Sequence, residues 1–157
     1  MELQWSQNLE VDGNVTIPLA ELVSERLPWL FREFGFRILE SEYDANNFGN
    51  SLVVLQSDRI RLRFERDRGQ VLAALGPLSE PRTWWGLISL CEVIRNENVT
   101  PRYKLDALGA ILRDNLPALV EALGPKLSET RQEIEKRRQE RSKAPGFQSA
   151  SGGHPWK

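Results

Sequence analysis

The 157-residue chain holds one cysteine, one methionine, one histidine and two tyrosines. A lone cysteine, Cys91, excludes an internal disulfide. The only histidine, His154, stands in a Gly/Ser/Pro-rich stretch near the C-terminus. A Ser-His-Asp or Cys-His arrangement is therefore unavailable unless that stretch docks. A zinc site built from His and Cys would have these two ligands, where structural sites use four. There is no glycine-rich phosphate loop and no internal repeat, which argues against solenoids and propellers. No apolar run approaches the roughly 20 residues needed to span a bilayer. The opening residues MELQWSQNLEVDGN lack the basic start and apolar stretch of a secretory signal. On this view the sequons at Asn14 and Asn98 arise by chance. These absences lead to the expectation of a cytoplasmic protein with reduced thiol, no cofactor, no metal, no membrane partner and no catalytic set.

What is present is enough for a folded core. Apolar residues make up 40% and charged residues 27%, and the net charge is −1. The charge is uneven. Residues 1–57 carry nine acids and three arginines, a balance of −6, and the remainder carries +5. Such asymmetry marks either an interaction surface or two halves that complement each other within one fold.

Hydrophobic periodicity divides the chain into elements. Residues 1–15 contain Leu3, Trp5, Leu9 and Val11, which suit a short strand or a tethered arm ending at Asp12-Gly13. Thr16 and Pro18 form a helix-start signal. Leu19, Val23, Leu27, Leu30 and Phe34 then make one apolar face, with a kink or restart at Pro28 and an end at Gly35. Four strands follow: 36–43, 52–55, 59–65 and 70–75. Arg59 to Glu65 alternates strictly, and Asp67-Arg68-Gly69 suits a hairpin with Gly69 in a left-handed bulge position. Residues 82–95 read as a helix with Trp84, Leu87, Ile88, Cys91 and Ile94 on its buried face. Thr100-Pro101 starts another, which Pro117 interrupts and Gly124-Pro125 ends. The fold class expected is α+β, an antiparallel four-stranded meander covered on one face by helices. Residues 1–125 form this single domain. Residues 126–143 hold seven basic and four acidic residues but only Leu127 and Ile134 as large apolar ones. They read as a charged, projecting, fraying helix, and 144–157 as a flexible tail.

Two charged strands are the candidate sites. Glu40, Glu42 and Asp44 alternate on one side of the first strand, beside Tyr43 and the turn residues Asn47 and Phe48. Paired carboxylates can carry acid/base chemistry or a divalent cation, attract a basic protein, or merely solvate a surface strand. Arg59, Arg61 and Arg63 share one face of the third strand, with Arg66 and Arg68 following toward the turn. Arginine forks suit phosphates and carboxylates. The plainer reading is a solvated face with cross-strand charge pairs, because Asp58, Glu65 and Asp67 are interleaved. The arginine face offers no aromatic of its own strand for base stacking. Trp84 reads as core and Trp85 as cover for a helix–sheet edge or a binding hot spot. Cys91, on the apolar stripe, reads as a buried inert thiol.

The run Phe48-Gly49-Asn50, Val53-Val54-Leu55, Ser57, Arg61-Leu62-Arg63-Phe64 and Asp67-Arg68-Gly69-Gln70 resembles a pattern in small, uncharacterised bacterial proteins. Leu105-Asp106, Leu108, Ile111-Leu112-Arg113, Asn115-Leu116 and Leu119 extend the resemblance, which covers residues 28–125. Some such families are similar to immunity proteins of polymorphic toxin systems. The resemblance implies a cytoplasmic non-enzyme that binds one protein, and it transfers no catalytic residue. The leading expectation is thus a non-catalytic protein-binding module of immunity type, its contact patch formed by Glu40, Glu42, Tyr43, Asp44, Asn47 and Phe48. The alternative is a nucleic-acid-associated module using Arg59, Arg61, Arg63, Arg66, Arg68 and the basic helix.

Overall fold

The computed structural model describes residues 17–143. The reading of residues 1–15, the Thr16 cap and the 144–157 tail lie outside the described residues. The chain is α+β, with helix α1 (Leu19–Arg26), a four-residue helix α2 (Trp29–Arg32), and strands β1 (Arg37–Asp44), β2 (Asn50–Gln56), β3 (Ile60–Asp67), β4 (Gln70–Pro77) and β5 (Trp85–Gly86). Helices α3 (Leu87–Arg95), α4 (Leu105–Leu123) and α5 (Leu127–Lys143) follow. The strands form one antiparallel sheet in the order β1-β2-β3-β4-β5. Among the described residues no helix is long and apolar enough to cross a membrane.

Alternation decides which sheet face is covered. Val53 and Leu55 of β2, Ile60, Leu62 and Phe64 of β3, and Val71, Ala73 and Leu75 of β4 are buried together. They meet Leu19, Leu22, Leu27 and Leu30 from the N-terminal helices and Leu90, Cys91, Leu108, Leu112 and Leu116 from α3 and α4. Strand side chains two apart share a face, so helices cover one face and leave Arg61, Arg63 and Glu65 on the other. Pro28 separates α1 from α2, as the missing N–H requires, and Gly35 turns the chain at φ +70°.

Several expectations are corrected. The meander has a fifth, two-residue strand, because residues 82–86 run from a turn into a strand at Trp85–Gly86 and are not helical; the helix begins only at Leu87. Strand pairing sets Trp85 opposite Leu75 on the helical side. Trp84 therefore falls on the opposite face and is not part of the core stripe. A Cβ at Gly76 would lie 2.1 Å from the Thr83 carbonyl oxygen and 3.6 Å from the Trp84 ring, so glycine there lets the 82–86 segment lie on β4. The β3–β4 hairpin turns on Arg68 and Gly69, both at positive φ (55° and 86°), between the paired Asp67 and Gln70. This is a two-residue loop of the primed type, not a bulge. Helix α4 begins at Leu105, not at Thr100-Pro101, and continues through Pro117.

The basic helix α5 does more than project. Leu127 and Ile134 pack on the core, and Thr130 is buried. Arg131 lies over the Trp85 ring at 5.3 Å and pairs with Glu80. Arg137 donates to Asn96 Oδ1 at 2.8 Å and to Glu133 at 3.1 Å. Arginine stems and forks supply the anchoring that the sparse apolar residues do not.

Candidate functional site

Strand β1 stands at the end of the sheet order, and all eight of its residues are exposed. Helix α1 comes alongside this strand at Ile38 without burying any of its residues. Its register with β2 places Glu40 opposite Val54, Glu42 opposite Leu52 and Asp44 opposite Asn50. Ile38, Ser41 and Tyr43 pair with Leu55, Val53 and Ser51, so they point to the helical side. An irregularity between Ile38 and Glu40, at Leu39, switches the alternation. The predicted patch is thereby divided: Glu40, Glu42 and Asp44 lie on the open face, and Tyr43 faces the other way.

A short turn continues the strand. Asn46 N–H donates to Asp44 Oδ1 at 3.1 Å and Asn47 N–H to the Asp44 carbonyl at 3.2 Å. Phe48 and Gly49 then both take positive φ, 60° and 68°. That conformation is costly for a side chain as large as Phe. Phe48 is 61% exposed, with the Arg68 guanidinium 5.2 Å from its ring centroid. Arg68 N–H also donates to Asn50 Oδ1 at 2.8 Å. Two hairpin turns thus meet at one end of the sheet and hold an aromatic ring beside the acidic strand.

Ser51 anchors this end to the helices. Its hydroxyl donates to the Glu42 carbonyl at 2.9 Å and accepts from the Leu19 N–H at 2.9 Å. Pro18 offers no side-chain cap to α1, so Ser51 answers the first helical amide across the fold.

The five candidate arginines are not one cluster. Arg66 is fully buried on the helical side. Its Nε donates to the Gly49 carbonyl at 3.0 Å and its Nη2 to the Ile17 carbonyl at 2.7 Å. Burial pushes its guanidinium below the ordinary value, and the nearby Tyr43 raises it in part. It is a structural bolt, which corrects its assignment to an anion-binding surface. Arg59 and Arg68 lie at opposite ends of β3. Arg61 and Arg63 remain together on the open face, where their guanidinium carbons stand 5.0 and 5.5 Å from the centroid of Trp84. Arg61 also donates to the Pro81 carbonyl, and Arg63 pairs with Glu65 at 3.4 Å. Trp84 is the residue that sequence reasoning missed here. The two consecutive tryptophans before Gly86 carried a strand signal that the adjoining helical pattern masked.

Glu40 and Glu42 do share the open face with Arg61 and Arg63, one strand removed across β2. Two inter-strand steps put about 10 Å between the backbones of the two rows, and Arg61 and Arg63 turn toward Trp84 on their far side. Cys91 is buried, and desolvation pushes its thiol up to about 11, with Arg95 opposing and Glu92 adding. Among the described residues no group of three or more His, Cys, Asp or Glu side chains is placed to hold a metal. Comparison of the chain with protein-family models, curated proteins and solved structures found no match.

Proposed function

We propose that this chain is a non-catalytic protein-binding module of immunity type, which neutralises a toxin by covering a basic surface on it. The observation that supports this reading is strand β1: eight exposed residues at the sheet edge, three of them acids on one face, continued by an exposed phenylalanine. Glu40, Glu42 and Asp44 on the open face, with Asn47 and Phe48 of the turn, form the contact patch, and Tyr43 stands on the other face of the same strand. Complementary charge raises the association rate and fixes orientation, while an aromatic at the rim of the patch offers a desolvated anchor. The reading also draws on the resemblance of residues 28–125 to a pattern in small bacterial proteins, some families of which are similar to immunity proteins.

The test uses the immobilised full chain and a Glu40→Lys/Glu42→Lys/Asp44→Lys variant, each exposed to lysate of the native host. A basic protein held by the first and lost by the second is the expected result. That protein, expressed alone, should arrest growth, and co-expression of this chain should restore it. Equal retention by both baits would refute the patch, and a harmless partner would refute the immunity role.

A second reading draws on Trp84. An aromatic beside Arg61 and Arg63 is the kind of platform on which single-stranded nucleic acid stacks. It is the weaker reading, because both guanidinium groups already engage the ring and Arg66 is withdrawn into the core. Binding of this kind would fall steeply with salt, and the absence of any gel shift at low salt would eliminate it.

A further inference from the structure

Among the described residues no strand lies on the outer side of β1, and hydrogen-bond parity shows which backbone groups occupy that side. Ser57 N–H donates to the Ile60 carbonyl at 3.0 Å, so Ser57 and Ile60 form a hydrogen-bonded pair at the β2–β3 turn. In an antiparallel ladder such pairs alternate with non-bonded ones. Leu55, Val53 and Ser51 therefore also turn their backbone groups to β3. Gln56, Val54, Leu52 and Asn50 turn theirs to β1, where they meet Arg37, Glu40, Glu42 and Asp44. The Glu42 carbonyl, reached by the Ser51 hydroxyl, points toward β2 as this requires. The Ser41 amide and carbonyl consequently point away from β2, toward the outer edge. Among the described residues no strand pairs there.

The two faces beside this edge differ in chemistry. On the open face Glu40, Glu42 and Asp44 are evenly spaced. On the helical side Ile38 lines a shallow groove of about 440 Å³ with Ala20, Glu21, Ser24 and Glu25. We propose that β1 accepts a sixth strand from a protein partner whose residues alternate between basic and apolar. The basic side chains face Glu40, Glu42 and Asp44, and an apolar one enters the groove at Ile38. This inference rests on the protein-binding reading above and names the partner's chemistry. A second copy is the wrong occupant. Antiparallel pairing of two β1 strands about Ser41 sets Glu40 against Glu42 of the second copy. Pairing about Glu42 sets Glu42 against itself and Glu40 against Asp44. Like charges directly opposite destabilise a ladder, so the edge repels itself while attracting a basic strand, a recognised way to manage an open edge.

The probe is a capped, fluorescently labelled nine-residue peptide alternating Lys and Val, titrated with the full chain. Three further arms separate backbone from side-chain recognition. One is the same peptide N-methylated at alternate residues. The second is Ser41→Pro, which removes an outward N–H without breaking the β1–β2 ladder, since edge strands tolerate proline at such positions. The third is the triple lysine variant. The expectation is saturable binding by the wild-type chain, weakened at least ten-fold in each of the three arms. If binding is lost in the triple variant but untouched by Ser41→Pro and by N-methylation, strand addition is overturned and the acidic patch survives. Binding indifferent to all three arms removes both the strand addition and the patch. No binding by the wild-type chain overturns the proposal, as does a wild-type dimer that Ser41→Pro converts to monomer. The N-methylated peptide keeps the test decisive even if Ser41→Pro fails to fold.

Discussion

Replacing Arg66 by methionine tests the account of the buried guanidinium. The side chain is fully buried and joins two backbone carbonyls, Gly49 in the β1–β2 turn and Ile17 just before α1. Methionine fills similar volume and removes a buried charge, which by itself is favourable because desolvating an ion costs several kcal/mol. It also strips both carbonyls of their donor inside the protein. Each unsatisfied acceptor costs about 1–3 kcal/mol. The two penalties total about 2–6 kcal/mol, the relief offsets part of that, and we expect a net loss of about 1–3 kcal/mol. At roughly 2–4 °C per kcal/mol for a chain of this size, the melting temperature should fall by roughly 3–12 °C. Arg66→Lys should lose nearly as much, because an ammonium lacks the fork that spans both carbonyls. Amide exchange should quicken first in residues 45–50 and at the start of α1, leaving β3–β4 protected. A methionine variant that melts within about 2 °C of the parent would refute the reasoning, since it would show that the carbonyls do not depend on Arg66.

Other outcomes follow from single contacts. Gly76→Ala should detach the 82–86 segment from β4, because the new methyl meets a backbone carbonyl and not a flexible side chain; quenching of tryptophan fluorescence by iodide should increase, and unchanged quenching would count against the contact. The Cys91 thiol should resist a disulfide exchange reagent at neutral pH until the protein unfolds. Its folded pKa lies above its unfolded one, so the stability it contributes is complete below the unfolded value and declines as pH rises toward about 11; a melt series showing no greater alkaline loss than Cys91→Ala would contradict this. Glu80 is held below the usual carboxylate range first by its hydrogen bond from Arg131 and then by Thr83. In Arg131→Ala its titration, followed by NMR, should move back toward the ordinary value, and an unmoved midpoint would show that the α5 contact does not persist in solution.

The strict alternation of residues 59–65 sufficed to identify β3 and the buried set Ile60, Leu62 and Phe64, because a period of two leaves one choice of face once the apolar residues are known. Pro28 and Gly35 likewise marked the break and the end of the first helical stretch through constraints local to each residue. The acidic row of β1 was legible for the same reason, whereas its place on the face of Arg61 and Arg63 came from the strand register. Other features depended on residues far apart in the chain. Arg66 continues the arginine series of β3, yet its number puts it on the other parity, and only the carbonyls of Gly49 and Ile17, brought to it by the fold, make burial of its charge tolerable. Trp84 sits within a helical-looking run, but the pairing of Trp85 and Gly86 with β4 and the missing side chain of Gly76 hold this segment against the sheet and carry the Trp84 ring to Arg61 and Arg63. The docking of α5 was hidden because its anchors are arginines, whose partners Glu80, Trp85 and Asn96 come from other elements. That β1 has no outer neighbour among the described residues is also a tertiary fact. Sequence determines the order of hairpins, but which strand lacks an outer neighbour depends on where the helices and the remaining strands finally pack.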